Sequence, residues 1–375
     1  MIGTPIGEDE GTELKDLEVE LYAVIMAGGV GTRLWPRSRQ NMPKQLLDIV
    51  AENSMLQETF LRIEPLIPPD KVFVITNETY APIVWEQIPQ LPRDNVITEP
   101  AGRNTAPCIG LAALYLRQLD SEGVMVVLPA DHLIREAAHF REVLRVVAEV
   151  AQGGHLVTMG IQPDSPHTGY GYIQRSDFLR QIGQHGVYKV ARFTEKPDEV
   201  TAQRFLDSGQ YYWNSGMFGW KVSAILEAIE VHLPALHAQL MTIEAALGSQ
   251  REREVMEEVW RGVESISIDY GVMERADDVA VIPMDVGWSD VGSWATVAEL
   301  LPKDAENNVV AGEHIGIDTT GSLLYSSERL IATIGLRDIV VVDTGDVVLI
   351  CPKARAQEVK DLVGELREKR KDKYL

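Results

Sequence analysis

The sequence has few cysteines, a deficit of positive charge and no apolar stretch long enough to cross a bilayer. Its two cysteines, Cys108 and Cys351, lie far apart and match no metal-binding or redox spacing, so both are expected to be reduced. The 35 Lys and Arg residues stand against 56 Asp and Glu, for a formal charge of −21. Such a surface repels nucleic acid and anionic lipid. We therefore expect a cytoplasmic protein that binds neither nucleic acid nor membrane.

Residues 1–19 are mostly acidic and contain no apolar segment of the kind that a secretion signal requires. Their polar composition predicts a flexible N-terminal extension. We assign this extension no function.

Continuous hydrophobic runs predict strands that are buried on both faces, as in a parallel sheet. These runs occupy residues 21–27, 72–76, 124–128, 156–159 and 279–282. Helical patterns fall between several of them, including residues 140–150, whose apolar residues share one face, and residues 109–119, for which Thr105 is the predicted N-cap. Strands that alternate with helices predict a doubly wound α/β fold, with ligands at the carboxyl ends of the strands.

The hydrophobic pattern of the sequence changes after about Pro302. Short β-type runs at residues 330–334, 339–342 and 347–350 are separated by Gly and Asp turns, and a charged helix is expected over residues 354–369. The sequence thus predicts a large α/β domain over residues 20–302 and a small β-rich domain with a terminal helix over residues 303–375.

A glycine-rich loop, Ala27-Gly28-Gly29-Val30-Gly31-Thr32-Arg33, directly follows the first predicted strand. Its glycines allow a tight turn that exposes backbone N–H groups to an anion, and a helix N-terminus after the loop would favour anions further. Arg33 and Lys44 add donors for phosphate oxygens. The loop matches neither G-x-G-x-x-G nor a P-loop, which disfavours dehydrogenases and kinases. Taken alone, it could also be a glycine turn needed only for packing.

Two aspartates, Asp131 and Asp290, each lie just after a predicted strand. A Mg²⁺ ion prefers one or two protein carboxylates, with phosphates and waters completing its octahedron. Either aspartate alone could be a turn or cap residue. Because both are expected at the same edge of the sheet, the pair predicts a Mg²⁺ site.

The segments around Glu195-Lys196 and Asn214 offer a cation for a sugar phosphate and hydrogen-bonding groups for sugar hydroxyls. From the residues alone, a surface lysine and an ordinary turn are equally good interpretations. His132 and His167 suggest acid–base catalysis, but a lone histidine in a loop is more often structural, and the sequence reveals no Ser/His/Asp set.

The combination of these motifs resembles the sugar nucleotidylyltransferases, and in particular the bacterial-type mannose-1-phosphate guanylyltransferase family. The segments that carry the resemblance are residues 28–36, 43–45, 103–107, 129–132, 168–172, 195–197, 214–218 and 288–294. The resemblance covers residues 20–375 and implies a Rossmann-like (GT-A-like) domain, with a mixed, mostly parallel sheet flanked by helices, and a small β-helix-like C-terminal domain. Some relatives continue into a cupin-like isomerase domain, and none follows Leu375 here, so we expect a monofunctional enzyme.

The resemblance also implies roles for individual residues. The nucleotide would be bound by Ala27, Gly28, Gly29, Gly31, Thr32, Arg33, Lys44, Asn104 and Asp131. The sugar phosphate would be bound by Gly169, Tyr170, Glu195, Lys196, Asn214 and Asp285. The catalytic residues would be Arg33, Lys44, Asp131 and Asp290, of which the two aspartates hold the Mg²⁺ ion.

The reaction implied by the resemblance transfers GMP from GTP to mannose 1-phosphate and releases pyrophosphate. The attacking phosphate monoester is largely dianionic at neutral pH, since its second pKa is about 6, so no general base is required. Two alternatives stay open: an enzyme for another base or sugar, such as ADP- or UDP-glucose, and a non-catalytic relative that binds nucleotide sugars. The sequence also leaves open whether the chain forms a homodimer.

Overall fold

A computed structural model describes residues 19–375, so the predicted extension over residues 1–19 lies outside the described residues apart from Val19. The strands of the large α/β part are β1 (Leu21–Met26), β2 (Val72–Asn77), β3 (Val96–Glu99), β4 (Val124–Pro129), β5 (Leu133–Ile134), β6 (Leu156–Ile161), β7 (Gly171–Ile182), β8 (His185–Glu195), β9 (Tyr211–Lys221), β10 (Val279–Met284) and β11 (Trp288–Ser289). The strands that follow are β12 (Val309–Ala311), β13 (His314–Ile317), β14 (Leu323–Ser326), β15 (Ile331–Ile334), β16 (Ile339–Asp343) and β17 (Val348–Pro352). The α-helices are α1 (Met55–Ile63), α2 (Ala81–Gln87), α3 (Thr105–Leu119), α4 (Ala137–Gln152), α5 (Glu199–Ser208), α6 (Val222–His232), α7 (Pro234–Glu244), α8 (Glu252–Trp260), α9 (Trp294–Leu300) and α10 (Val359–Glu368).

Nine strands form one mixed sheet in the order β3-β2-β1-β4-β9-β6-β10-β8-β7. Strands β3, β2, β1 and β4 are parallel, as are β6 and β10, whereas β9 is antiparallel to both β4 and β6. Strand β9 also pairs with β7, so that β9, β6, β10, β8 and β7 close into a ring of strands. Ile173, Tyr212 and Val281 form a small separate core there. The predicted α/β fold and its mixed sheet are therefore confirmed.

The five strands predicted from continuous hydrophobicity are β1, β2, β4, β6 and β10, and each observed end lies within two residues of the expected one. Their residues are almost fully buried, because helices cover both faces of the sheet. Helices α1, α2 and α4 pack on one face, and α3, α6, α7 and α8 pack on the other. The antiparallel strands β7 and β8 escape sequence-based prediction because much of their length is exposed.

The N-terminus of α3 differs from the prediction. Its N-cap is Asn104, whose side chain accepts a hydrogen bond of 2.8 Å from the backbone N–H of Thr105, the first helical residue. The assignment of Thr105 as the cap was therefore wrong. The Thr105 hydroxyl instead accepts a hydrogen bond from the backbone N–H of Ile268. This contact ties the start of α3 to a segment more than 160 residues later.

The C-terminal strands stack in parallel, with β12, β14 and β16 in one sheet and β13 and β15 in another, while β17 returns antiparallel to β16. The strand predictions for this region are confirmed. The predicted helix over residues 354–369 begins instead with a 3₁₀ segment, Lys353–Glu358, before α10.

The C-terminal strands share a core with the segment that follows the glycine loop. Leu34 and Trp35 pack in this core with Trp294 and with Val363 of α10. The Trp35 indole donates a hydrogen bond of 2.7 Å to the carbonyl of Tyr374, and the Trp294 indole donates one of 2.9 Å to the carbonyl of Trp35. Both indole N–H groups thus have hydrogen-bond partners although their rings are buried. These contacts anchor the C-terminal part to the segment that directly follows the glycine loop. In the described part of the chain, no helix has the length and apolar character of a membrane span.

Candidate active site

A cavity of about 670 Å³ opens at the carboxyl ends of β1, β3 and β4, within the size range of small-molecule sites. The predicted residues that line it are Gly28, Gly29, Asn104, Asp131, Gly169, Tyr170, Glu195, Asn214 and Asp290. A second cavity of about 330 Å³ lies beside the first. The predicted residues that line the second cavity are Gly31, Thr32, Arg33, Lys44, Asp131 and Asp290. Asp131 and Asp290 therefore lie where the two cavities meet.

The glycine loop packs so tightly against Lys44 that a side chain cannot be added at Gly31. Gly31 has a φ of 71°, and a Cβ atom placed on it would lie 2.4 Å from the Cβ of Lys44. Two 3₁₀ turns, Thr32–Leu34 and Lys44–Leu46, follow the loop, and the first α-helix, α1, begins only at Met55. The helix N-terminus considered as an additional anion site is thus missing at this position, and any anion contact of the loop relies on its own N–H groups and on Arg33 and Lys44.

Lys44 links the loops that carry the two aspartates. Its ammonium is buried and donates hydrogen bonds of 2.9 Å to Oδ2 of Asp131 and 2.5 Å to the backbone carbonyl of Asp290. Burial opposes ionisation of Asp131, but the adjacent Lys44 charge and its hydrogen bond hold the pKa of this carboxyl below its ordinary value. Asp131 is therefore an anion at neutral pH.

The two aspartates fit a hard divalent cation. The Asp131 side chain keeps 37% of its exposure, and one oxygen of Asp290 is oriented by hydrogen bonds from the Tyr170 hydroxyl, at 2.9 Å, and from the backbone N–H of Gly292, at 3.1 Å. Burial, together with the charge of Asp290, raises the pKa of Tyr170, so Tyr170 remains a hydrogen-bond donor. Both side chains line the two cavities, and carboxylate oxygens are the donors that Mg²⁺ prefers.

His132 contacts both the metal-site candidate Asp131 and Trp288. The Trp288 indole donates to Nδ1 of His132 over 3.2 Å, and burial lowers the pKa of this imidazole to about 4. The ring is therefore neutral at physiological pH, and its Nδ1 atom already accepts a hydrogen bond from Trp288. This geometry supports the structural interpretation of His132 over an acid–base role.

Asn214 is held in position by a residue that the sequence does not single out. Its side-chain amide donates a hydrogen bond of 2.6 Å to Asp269, and its oxygen accepts one from the backbone N–H of Gly216. Asp269 begins a single π-helical turn, Asp269–Met273, and lines the large cavity. Burial raises the pKa of Asp269, although the Asn214 hydrogen bond opposes this shift. Such π-turns frequently occur at functional sites.

Three predicted residues line neither cavity. Ala27 is buried, and its carbonyl accepts hydrogen bonds from the side chains of Gln45 and Thr76. Lys196 is exposed and forms an ion pair with Glu195, with its backbone at a φ of 45°. Asp285 is exposed just after β10. The structure thus brings together most of the predicted set but leaves these three outside.

Two further residues at the cavities went undetected in the sequence. Glu99, at the end of β3, is only 4% exposed, and its Oε2 atom has no hydrogen-bond partner among the described residues. Burial raises the pKa of Glu99 to about 7. Lys360, on α10, lines the second cavity with Arg33 and Lys44. Glu99 was missed because the short strand that it ends, β3, was not among the predicted strands. Lys360 was missed because only the packing of α10 brings it to the site.

Comparison with known proteins places the chain in a family. Residues 22–307 match the family model described as nucleotidyl transferase, and residues 312–366 match the MannoseP isomerase/GMP-like beta-helix domain. Mannose-1-phosphate guanylyltransferases of Klebsiella pneumoniae and Escherichia coli are each 42% identical over 357 residues, covering 94% of this chain and 75% of the relative. A solved structure described as mannose-1-phosphate geranyltransferase from Thermus thermophilus superimposes with a TM-score of 0.83 at 34% identity, covering 93% of this chain and all of that one. With both parts of the chain matched, this protein belongs to the mannose-1-phosphate guanylyltransferase family of nucleotidyl transferases.

Proposed function

We propose that the chain transfers GMP from GTP to mannose 1-phosphate, with release of pyrophosphate. The observation that carries this proposal is the contact of Lys44 with both aspartate loops at the junction of the two cavities. This junction can hold the α-phosphate of a nucleotide, with the base and the sugar phosphate in the large cavity. The remaining two phosphates would then extend into the smaller cavity, toward Arg33.

The chain's own residues would perform two tasks, positioning and charge neutralisation, since the sugar phosphate needs no proton removed before it attacks. Its oxygen would attack the α-phosphorus of GTP, and pyrophosphate would leave in line. Arg33, Lys44 and Lys360 would neutralise the departing pyrophosphate in the second cavity, against the overall negative charge of the chain. Near the sugar, Asn214 is oriented by Asp269, and Glu195 would accept hydrogen bonds from hydroxyls.

We assign the metal site to Asp131 and Asp290, which would hold Mg²⁺. A bound Mg²⁺ ion would offset negative charge on the reacting phosphates. Lys196 would reach the sugar phosphate only after its ion pair with Glu195 opens, because it lies outside the cavity.

Glu99 supports guanine as the base. A guanine ring presents two adjacent donors, N1–H and the exocyclic amino group, which a carboxylate can accept together. Adenine presents one donor beside an acceptor, and uracil presents one donor between two acceptors, so neither matches a carboxylate as well. Glu99 lines the large cavity, and one of its oxygens is buried without a hydrogen-bond partner within residues 19–375. Such an oxygen destabilises the protein unless a ligand donates a hydrogen bond to it. The charge-assisted pair with guanine would satisfy it.

The test is pyrophosphate release from GTP, ATP, UTP and CTP, each combined with mannose 1-phosphate and with glucose 1-phosphate. We expect turnover to be highest with GTP and mannose 1-phosphate. Preference for ATP or UTP with glucose 1-phosphate would favour the alternative nucleotidylyltransferase. Nucleotide-sugar binding without turnover, with Mg²⁺ present, would instead favour the non-catalytic relative.

We also infer a cytoplasmic location and no nucleic-acid or membrane partner. The negative net charge supports this inference, as do two cysteines that are not joined to each other.

A further inference from the structure

A cluster of metal-ligating side chains lies at the turn of the β7–β8 hairpin and takes no part in the proposed reaction. His139 and Glu142 are three residues apart on α4, and His185 begins β8 directly after the turn. Each offers one ligand atom, and the three atoms lie within 4.8 Å of one another. Within residues 19–375, this is the one group of three or more His, Cys, Asp or Glu residues that comes so close.

We propose that His139, Glu142 and His185 bind a divalent transition-metal ion of the Zn²⁺ class. Two imidazoles and one carboxylate form a borderline donor set, which suits Zn²⁺ and Co²⁺, whereas Mg²⁺ and Ca²⁺ prefer oxygen ligands alone. Three protein ligands leave a fourth position for water.

The geometry needs only small movements to close around an ion. With Zn–N distances of about 2.0–2.1 Å, tetrahedral ligands lie about 3.4 Å apart, so atoms that are within 4.8 Å of one another must approach by at most about 1.4 Å. The His139 side chain is 29% exposed and Glu142 is half-buried, so both can turn toward His185, which is 8% exposed. The two imidazole rings already lie with their centroids 5.4 Å apart. Glu136 lies 3.6 Å from His139 and adds negative charge that favours a cation.

The backbone that carries the cluster is well supported. Ile182 and Val187, on either side of the hairpin turn, are buried in the same core as Phe140 and Val143 of α4. The His185 ring is therefore held against the helix by packing. A bound ion would fasten the turn of the hairpin to α4. The other end of the hairpin carries Gly171 and Glu195, which line the large cavity, so the ion would restrain a hairpin that reaches the site.

The test is titration of the purified full chain with Zn²⁺ by calorimetry, and with Co²⁺ by visible absorption, in excess Mg²⁺ to occupy the aspartate site. We expect one Zn²⁺ per chain and a tetrahedral Co²⁺ spectrum. Substitutions His185→Ala and His139→Ala should each weaken binding at least about 100-fold, since even loss of a supporting partner of a metal ligand costs 10–100-fold. The matched control is His237→Ala, a half-buried histidine on α7 outside the cluster, which should bind as the wild type does.

A second variant distinguishes loss of a ligand from misfolding, since an alanine variant that fails to fold would also fail to bind Zn²⁺. Glu142→Gln keeps the size of the side chain but removes its charge, and it should fold while losing most of the affinity for Zn²⁺. Zn²⁺ should raise the melting temperature of the wild type but not of His185→Ala. Equal Zn²⁺ affinity in the wild type and His185→Ala, or no binding by the wild type at micromolar Zn²⁺, would overturn the proposal.

Discussion

The ammonium of Lys44 lies 2.9 Å from Oδ2 of Asp131, and this ion pair joins the segment after the glycine loop to the segment after β4. The Lys44 side chain is only 6% exposed. If either charge is removed, the remaining one is therefore partly shielded from water and has lost its partner. The pair thus has two separable effects: it stabilises the fold, and it places a cation at the junction of the cavities.

Lys44→Met should reduce turnover by at least about 100-fold, because a positive charge would be lost where phosphate charge develops. It should also lower the free energy of unfolding by about 1–3 kcal/mol, less than for a fully buried pair because Asp131 is partly exposed. The double variant Lys44→Met/Asp131→Asn should recover stability without recovering activity. Urea denaturation measures stability, and pyrophosphate release measures turnover. If the double variant recovered both stability and turnover, the two effects of the ion pair would not be separable.

Glu99→Gln should change both stability and base preference. The pKa of Glu99 is about 7 in the folded protein, against an ordinary 4.5, so the folded state retains its proton when the unfolded state has lost it. Stability of the nucleotide-free protein should therefore fall as the pH rises from about 4.5 to 7, by up to about 3 kcal/mol from this group. Glu99→Gln should remove this loss, so it should melt at a higher temperature than the wild type at pH 8.

The same variant should discriminate less between GTP and ATP, because an amide cannot accept both guanine donors. The GTP KM of the wild type should also rise as the pH falls below about 7, where Glu99 becomes protonated, and the variant should lack this dependence. Glu227→Gln, which changes an exposed glutamate on α6, is the matched control. An identical pH profile of melting in Glu99→Gln and the wild type would refute the assignment.

Arg33→Lys should act mainly on kcat. Arg33 is exposed in the second cavity, and lysine keeps the charge but loses the planar fork that binds phosphate through two hydrogen bonds. A contact that tightens as charge develops on the leaving group lowers kcat more than it weakens GTP binding. The melting temperature should stay unchanged. Single-turnover kinetics measure the effect, and weakened GTP binding with an unchanged kcat would reject the leaving-group role.

Lys360→Ala should raise the KM for pyrophosphate in the reverse reaction by about tenfold or more, since a charge-assisted contact contributes about 1.5–3 kcal/mol. The KM for GDP-mannose should change much less. Lys369→Ala, just beyond the same helix, removes a lysine that pairs with Glu365 and serves as the control. Equal effects of the two substitutions would show that general electrostatics, and not contact with pyrophosphate, is responsible.

Much of the fold was accessible from the sequence because its signals are local. A strand that is buried on both faces needs apolar residues throughout. Continuous hydrophobic runs were therefore enough to locate β1, β2, β4, β6 and β10. Because the carboxyl ends of these strands lie at one edge of the sheet, the polar residues that follow β4 and the short strand β11, which comes soon after β10, are expected to approach each other. Asp131 and Asp290 could therefore be paired, and the structure does bring both to the junction of the cavities.

The remaining features depend on which distant segments pack together. The sequence determined the five strands that are buried on both faces, the glycine loop and the two aspartates that follow strands, because each of these depends on residues that are neighbours in the chain. Only the tertiary structure decided that α10 brings Lys360 to the phosphate side, and that Asp269 orients Asn214. It also left Asp285 exposed, and it buried Glu99 with an unpartnered oxygen. Burial and contact arise from segments far apart in the sequence, and no local pattern encodes them.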